Sequence, residues 1–144
     1  MNTAIITGAS AGIGACAAGL FSKRNFNVIN LSRRPCEIEG VLNLCGDLAS
    51  EKTLDNILPS LTEAISQSDS VSLIHNAAKM RKDSVIDCSE SELREMLEIN
   101  VIAINALNRR LIPKMPAGSS VIYIGSTLSM KAVPNSFSYV LSKH

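Results

Sequence analysis

The run T3-A-I-I-T-G-A-S-A-G-I-G14 decides the fold. Thr3–Thr7 is β-branched and apolar enough to read as a strand buried on both faces. Gly8, Gly12 and Gly14 follow it and open a helical pattern over residues 13–24. Glycines let the backbone turn tightly and let a phosphate approach main-chain N–H groups at the positive end of a helix. A merely flexible βα turn would also use glycine, and the spacing is not G-x-G-x-x-G. No Gly-Lys-Ser/Thr follows, which excludes a P-loop.

The same alternation continues along the chain. Strands are expected at 27–31 (NVINL), 41–45 (VLNLC), Val71–His75 (VSLIH) and 119–125 (SSVIYIG). Residues 50–67 read as a helix that Pro59 should kink or whose true start it should mark. Ser89 and Glu92 form a capping-box pattern that opens a long helix reaching about Ile112. Phe137 onward reads as the first turns of another helix. Apolar strands separated by amphipathic helices predict an α/β fold with a doubly wound parallel sheet, covered on both faces, in a single domain over 1–144.

Composition agrees and closes off other classes. Apolar residues make up 46% of the 144, enough for a core built from Ile, Leu, Val and Ala, with no Trp. A net charge of +1 argues against a nucleic-acid binder. No apolar run approaches the ~18 residues of a membrane span, so no membrane is expected. No basic residue precedes Lys23, so a signal peptide is not expected either. Cys16, Cys36, Cys45 and Cys88 have no metal-ligand spacing and read as reduced, mostly buried thiols of a cytoplasmic protein. His75 and His144 are too few and too separated to suggest a metal site.

Ligands of doubly wound sheets bind at the carboxyl ends of the strands, where the winding reverses. After the second strand stands S32-R33-R34. An acidic residue there would bond a ribose and repel a 2′-phosphate, whereas Ser32, Arg33 and Arg34 offer a hydroxyl and two guanidinium groups. They predict NADP(H) over NAD(H); two solvated loop arginines are the alternative. After the third strand, in G46-D47-L48, Asp47 either caps the next helix or contacts an adenine amino group. H75-N-A-A78 places small residues and one amide after the fourth strand. Ser126 and Thr127 follow the fifth. Tyr139 and Lys143, four residues apart, lie on one face of a helix. Tyr123 reads as core packing.

Together these residues resemble the short-chain dehydrogenase/reductase family, in its standard short-chain branch. T7-G-A-S-A-G-I-G14 is similar to that family's TGxxxGxG cofactor motif, H75-N-A-A78 to its N-N-A-G motif at Asn76, Ala77 and Ala78, and Y139-V-L-S-K143 to its YxxxK motif. Ser126 precedes Tyr139 by 13 residues, the family's usual interval. Asn100 sits in E-I-N-V as the family's helical Asn does. The resemblance implies a Rossmann fold with cofactor contacts from Gly8, Ser10, Gly12, Ile13 and Gly14. It extends those contacts to Ser32, Arg33, Arg34, Asp47 and Leu48, and to Asn76, Ala77, Ala78, Tyr139 and Lys143.

It further implies that Tyr139 is the general acid/base, that Lys143 holds the nicotinamide ribose and that Ser126 bonds the substrate oxygen. Asn100 would bind a water in a proton relay. A free phenol titrates near ~10, so such a role needs a cation nearby. His75 and Ala78 depart from N-N-A-G. Family members continue past the YxxxK lysine into further strands and a substrate loop, so the chain reads as truncated at its C-terminus. A full-length form is expected to act on a small carbonyl or alcohol and to be a homodimer or homotetramer. The competing expectation is a non-catalytic dinucleotide-binding remnant. An S-adenosylmethionine-dependent methyltransferase shares the glycine turn, but YxxxK and Ser126 argue against it.

Overall fold

Five strands are long enough to pair and all of them pair in parallel. In the computed structural model, which describes residues 1–144, they are β1 (Thr3–Thr7), β2 (Asn27–Ser32), β3 (Leu42–Cys45), β4 (Val71–His75) and β5 (Ser120–Tyr123). Their spatial order is β3-β2-β1-β4-β5. The chain winds outward through β2 and β3, then returns to pair β4 against the other side of β1, with Ile5 opposite both Ile29 and Leu73. The winding therefore reverses between β1 and β4, at the carboxyl ends of those strands. This is the doubly wound, Rossmann-like sheet.

The side-chain alternation of the strands builds two cores. Ile5, Ile29, Leu31 and Leu73 pack on one face against Leu54, Ile57, Leu61 and Ile65 of α2 (Glu51–Ser66) and Leu107 and Leu111 of α4 (Ala103–Leu111). Ala4, Ile6, Val28 and Ile74 pack on the other face with Ala18 of α1 (Gly12–Ser22). Each large side chain buried this way stabilises the fold by about 1.5–3 kcal/mol. Small alanines on the second face let α1 lie close to the sheet.

The helices differ from expectation in three places. Pro59 neither kinks off nor starts α2, which runs unbroken through it from Glu51 to Ser66. Pro59 lies on the exposed face, where the carbonyl that loses its partner is open to water, while Leu54, Ile57, Leu61 and Ile65 hold the other face to the sheet. Ser50 caps the true start by accepting from the Thr53 N–H. The expected long helix opens at the Ser89–Glu92 capping box as α3 (Glu90–Leu97), but a π-helical turn over Glu98–Ile102 separates it from α4. The extra residue in that turn carries Asn100 inward, where it is 4% exposed. The cysteines are free but not mostly buried: Cys36 is, whereas Cys16 lies on the outer side of α1 and Cys45 on the edge strand β3, both exposed.

Tyr123 is not core either, with 55% of its surface exposed. It stands on β5, which closes one side of the sheet without a further partner, and its hydroxyl accepts from Asn108 Nδ2 at 2.6 Å. Ile122 on the same strand and Val101, which shares a cleft with Tyr123, are exposed as well. An open edge beside apolar surface is a template for association. The 144-residue chain is expected to self-associate with rising concentration in sedimentation velocity. A concentration-independent monomer that melts cooperatively would contradict this.

Candidate functional site

The reversal between β1 and β4 is closed by side chains rather than left as a gap. Asn76, just past β4, donates from Nδ2 to the Thr7 and Gly8 carbonyls at 3.1 and 3.0 Å. The Thr7 hydroxyl oxygen accepts from the backbone N–H groups of Asn76 and Ala77, both at 3.0 Å. Gly8 has φ +72°, and a Cβ there would stand 2.9 Å from the Ala77 Cα. A Cβ on Gly14 would fall inside contact distance of the Gly8 carbonyl and 2.5 Å from Asn76 Nδ2. The two glycines thus pack the turn, the helix and the β4 end against one another.

One consequence is an uncapped helix terminus. Ala11 at the N-cap of α1 makes no side-chain cap, and no acidic residue stands in the first turn. By contrast α2 and α3 are capped by Ser50 and Ser89 and carry Glu51, Glu90 and Glu92 in their first turns. The first N–H groups of α1 keep their hydrogen-bonding capacity and their positive end of the helix dipole for an anion.

Beside this turn lies a cleft of about 290 Å³. It is lined by Gly8 and Ser10 from the turn, Ser32, Arg33 and Arg34 after β2, Gly46, Asp47 and Leu48 after β3, and Asn76, Ala77 and Ala78 after β4, with Lys79 and Ile99. Gly12, Ile13 and Gly14 do not line it; Ile13 is exposed and Gly14 buried in the turn packing. Arg33 and Arg34 are exposed, and no ion pair of the chain involves them. Asp47 accepts from the Ala49 N–H through Oδ1 at 3.0 Å, which leaves its second carboxylate oxygen for the cleft. It is not the cap of α2; that is Ser50.

A second cleft, of about 390 Å³, opens on the other side of β4 and shares Ala77 with the first. Asn100, Lys143, Ser142, Gly125, His75 and Tyr123 are among its lining. Asn100 bonds both backbone groups of Lys79, accepting at 2.7 Å and donating at 2.9 Å, and its Nδ2 also reaches the Ser142 hydroxyl at 2.9 Å. It thereby fastens the strand end to α5 (Phe137–Lys143), the helix of Tyr139 and Lys143. The Lys143 ammonium stands 5.7 Å from the centroid of the Tyr139 ring. Neither Ser126 nor Tyr139 lines this cleft. The Ser126 hydroxyl oxygen accepts from the Leu128 N–H, which leaves its proton free to donate. His75 is buried and bonds Asn108 Oδ1 through Nε2 at 2.8 Å. Burial lowers its pKa and outweighs the opposing effect of that bond, so the ring is neutral at pH 7.

Sequence reasoning missed Asp83. It is 4% exposed, and its carboxylate accepts from both the backbone N–H and the hydroxyl of Ser138. Ser136, the N-cap of α5, makes no side-chain cap, so a residue 55 positions away caps that helix instead. No local pattern could have signalled a cap supplied from such a distance. It also missed Lys79 and Ile99 of the first cleft, and Asn30, an amide flanked by apolar residues at the centre of β2, which was the one available signal.

The chain matches the short chain dehydrogenase family over residues 2–144. It is a member of that family. It is 26% identical over 99% of its length to an uncharacterised oxidoreductase of Bacillus subtilis, YhxC, and covers 54% of that protein. A short chain dehydrogenase family protein from Francisella tularensis superposes with a TM-score of 0.88 at 28% identity, over 99% of this chain and 57% of that one. A 4-hydroxyisoleucine dehydrogenase solved with NADH and succinate shares the fold with a TM-score of 0.85 at 23% identity, over 98% and 66%. The chain spans about half the length of the curated relatives it matches.

Two variants test this geometry. Gly14→Ala is expected to destabilise the chain by roughly 2 kcal/mol or more, because backbone must shift to admit the methyl. Gly125→Ala, where a Cβ meets nothing within 4 Å, should leave the melting temperature nearly unchanged. For Asp83, burial pushes the carboxyl pKa up, but the bonds from Ser138 and the Arg81 charge outweigh it and hold it below the usual range. Its contribution to stability is therefore fully present above about pH 4 and lost as pH falls through its lowered native value. Asp83→Asn should be less stable than wild type at neutral pH, with the gap closing in acid. A constant gap across pH would refute this.

Proposed function

We propose that this chain is the cofactor-binding part of an oxidoreductase that moves a hydride between NADP(H) and a carbonyl or secondary alcohol. One observation carries the reading. Gly8, Ser10, Ser32, Arg33, Arg34, Asp47, Leu48, Asn76, Ala77 and Ala78, scattered over four strand ends, line one cleft at the reversal of the sheet. The donor set fits a dinucleotide. The turn at Gly8 and Ser10, with the free N–H end of α1 beside the cleft, suits a pyrophosphate, Asp47 an adenine amino group, and the unpaired guanidinium groups of Arg33 and Arg34 a ribose 2′-phosphate. No helix is long and apolar enough to cross a membrane. Free thiols support a reducing, cytoplasmic setting, and a homodimer or homotetramer of a longer form rests on the family resemblance alone.

When bound, the nicotinamide supplies or takes up the hydride. Tyr139 would give its phenolic proton to the carbonyl oxygen during reduction and take it back during oxidation. Lys143, one turn away, would favour the phenolate so formed and hold the ribose. Ser126 would donate its free proton to the same substrate oxygen and stabilise charge developing there. Asn100 would join Lys143 to solvent through a water. A second reading, dinucleotide binding without catalysis, is favoured by one observation: Ser126 and Tyr139 stand outside the cleft that Asn100 and Lys143 share.

Calorimetric titration with NADPH and NADH tests the cofactor reading. NADPH should bind at least ~10-fold more tightly, and Arg33→Ala/Arg34→Ala should erase most of that difference. Equal affinities in wild type would remove the phosphate assignment. In the longest form of the protein, Tyr139→Phe should lower kcat by about 10²–10⁴ with NADPH affinity unchanged. An unaffected rate in that variant would favour the second reading.

A further inference from the structure

We infer that two amides, the buried Asn30 and the half-buried Asn43, are the positioning residues that hold the Ser32–Cys36 loop, and with it Arg33 and Arg34, for a ribose 2′-phosphate. The inference rests on the cofactor reading above and adds what selects within it. Asn30 lies at the centre of β2 with no exposed surface. Its Oδ1 accepts from the Ala9 N–H of the glycine turn and lies 3.0 Å from the Ser32 hydroxyl. Its Nδ2 donates to Asn43 Oδ1 at 2.8 Å and to the Arg34 carbonyl at 3.2 Å. Asn43, on β3, also accepts from the Cys36 N–H at 2.7 Å, and its Nδ2 reaches the Cys36 and Val41 carbonyls at 3.1 and 3.4 Å.

Asn43 thus uses all four of its hydrogen-bonding sites, and Asn30 uses three, with the Ser32 hydroxyl proton shared between its oxygen and the Arg34 carbonyl. Only one orientation of each satisfies the pattern, because the Ala9 and Cys36 N–H groups can only donate. The backbone of the loop is pinned at Arg34 and again at Cys36, on either side of Pro35. The same Asn30 oxygen ties it to the turn that would receive the pyrophosphate. Two exposed arginine side chains have many rotamers, and a fixed backbone removes part of the entropy that a phosphate contact would otherwise lose. An apolar residue at either position would leave buried backbone groups unpaired and free the loop.

Asn43→Ala is the discriminating variant, because Asn43 lines neither cleft. Its NADPH affinity should fall about ten-fold while NADH affinity stays within about two-fold of wild type. In the Arg33→Ala/Arg34→Ala background the same substitution should change NADPH affinity little, since its effect travels through those side chains. Equal loss for both cofactors, or full additivity with the arginine substitutions, would overturn the proposal. So would a wild type that discriminates and an Asn43→Ala variant that still does. A wild type with equal affinity for both cofactors would overturn the phosphate reading and this inference with it. If Asn43→Ala does not fold, amide hydrogen exchange on the cofactor-free wild type decides: a protected Cys36 N–H supports a preformed clamp, and one exchanging at the rate of free loop overturns it.

Discussion

The contact between the Gly8 turn and Asn76 is the constraint on which the rest depends. β1 and β4 are neighbours in the sheet but far apart in sequence, and where the winding reverses between them the chain would separate into two loops. The Asn76 amide bonds two successive carbonyls of the turn, and the Thr7 hydroxyl returns two bonds to the β4 end. Gly8 and Gly14 remove the side chains that would hold these backbones apart. Buried polar groups joined this closely favour a single geometry, since any other leaves several of them unpaired.

From that junction outward, amides and hydroxyls do the positioning while aliphatics supply the stability. The sheet faces carry the two apolar clusters, and they would tolerate conservative exchange among Ile, Leu and Val. The strand ends are held differently: by Asn30 and Asn43 within β2 and β3, Asn76 after β4, and Asn100 between Lys79 and Ser142. Asn100 reaches its place through the π-helical turn, which costs regular helix bonding and gains a buried amide between two elements. Asp83 adds a second tie to α5, at its first turn. The helix of Tyr139 and Lys143 is therefore held by polar contacts from two places in the preceding segment, and little of its placement comes from apolar burial.

Much of the fold was legible because it rests on local periodicity. Strands apolar on both faces and helices apolar on one announced a parallel sheet with two covers, and the capping box at Ser89 marked a helix start to the residue. Pro59 misled because its local effect, a lost N–H, is cheap on an exposed face when the opposite face is anchored. Tyr123 misled because a strand at the sheet margin has the same composition as one inside it. Cys16 and Cys45 misled because cysteine's preference for the interior says nothing about which side of a helix or which strand it occupies.

The amino-acid sequence by itself determined the elements, the family and the residue types available at each strand end. Those follow from patterns a few residues long and from motifs whose spacing is local. Only the tertiary structure decided which of them meet. It brought ten cofactor candidates into one cleft and left Gly12, Ile13 and Gly14 to the turn; it put Asn100 and Lys143 in a second cleft with Ser126 outside it. It also recruited Asn30, Asn43 and Asp83, which no motif marks. The physical reason is the same in each case. A hydrogen bond between residues tens of positions apart depends on strand order and register, and these are settled by how the whole sheet packs.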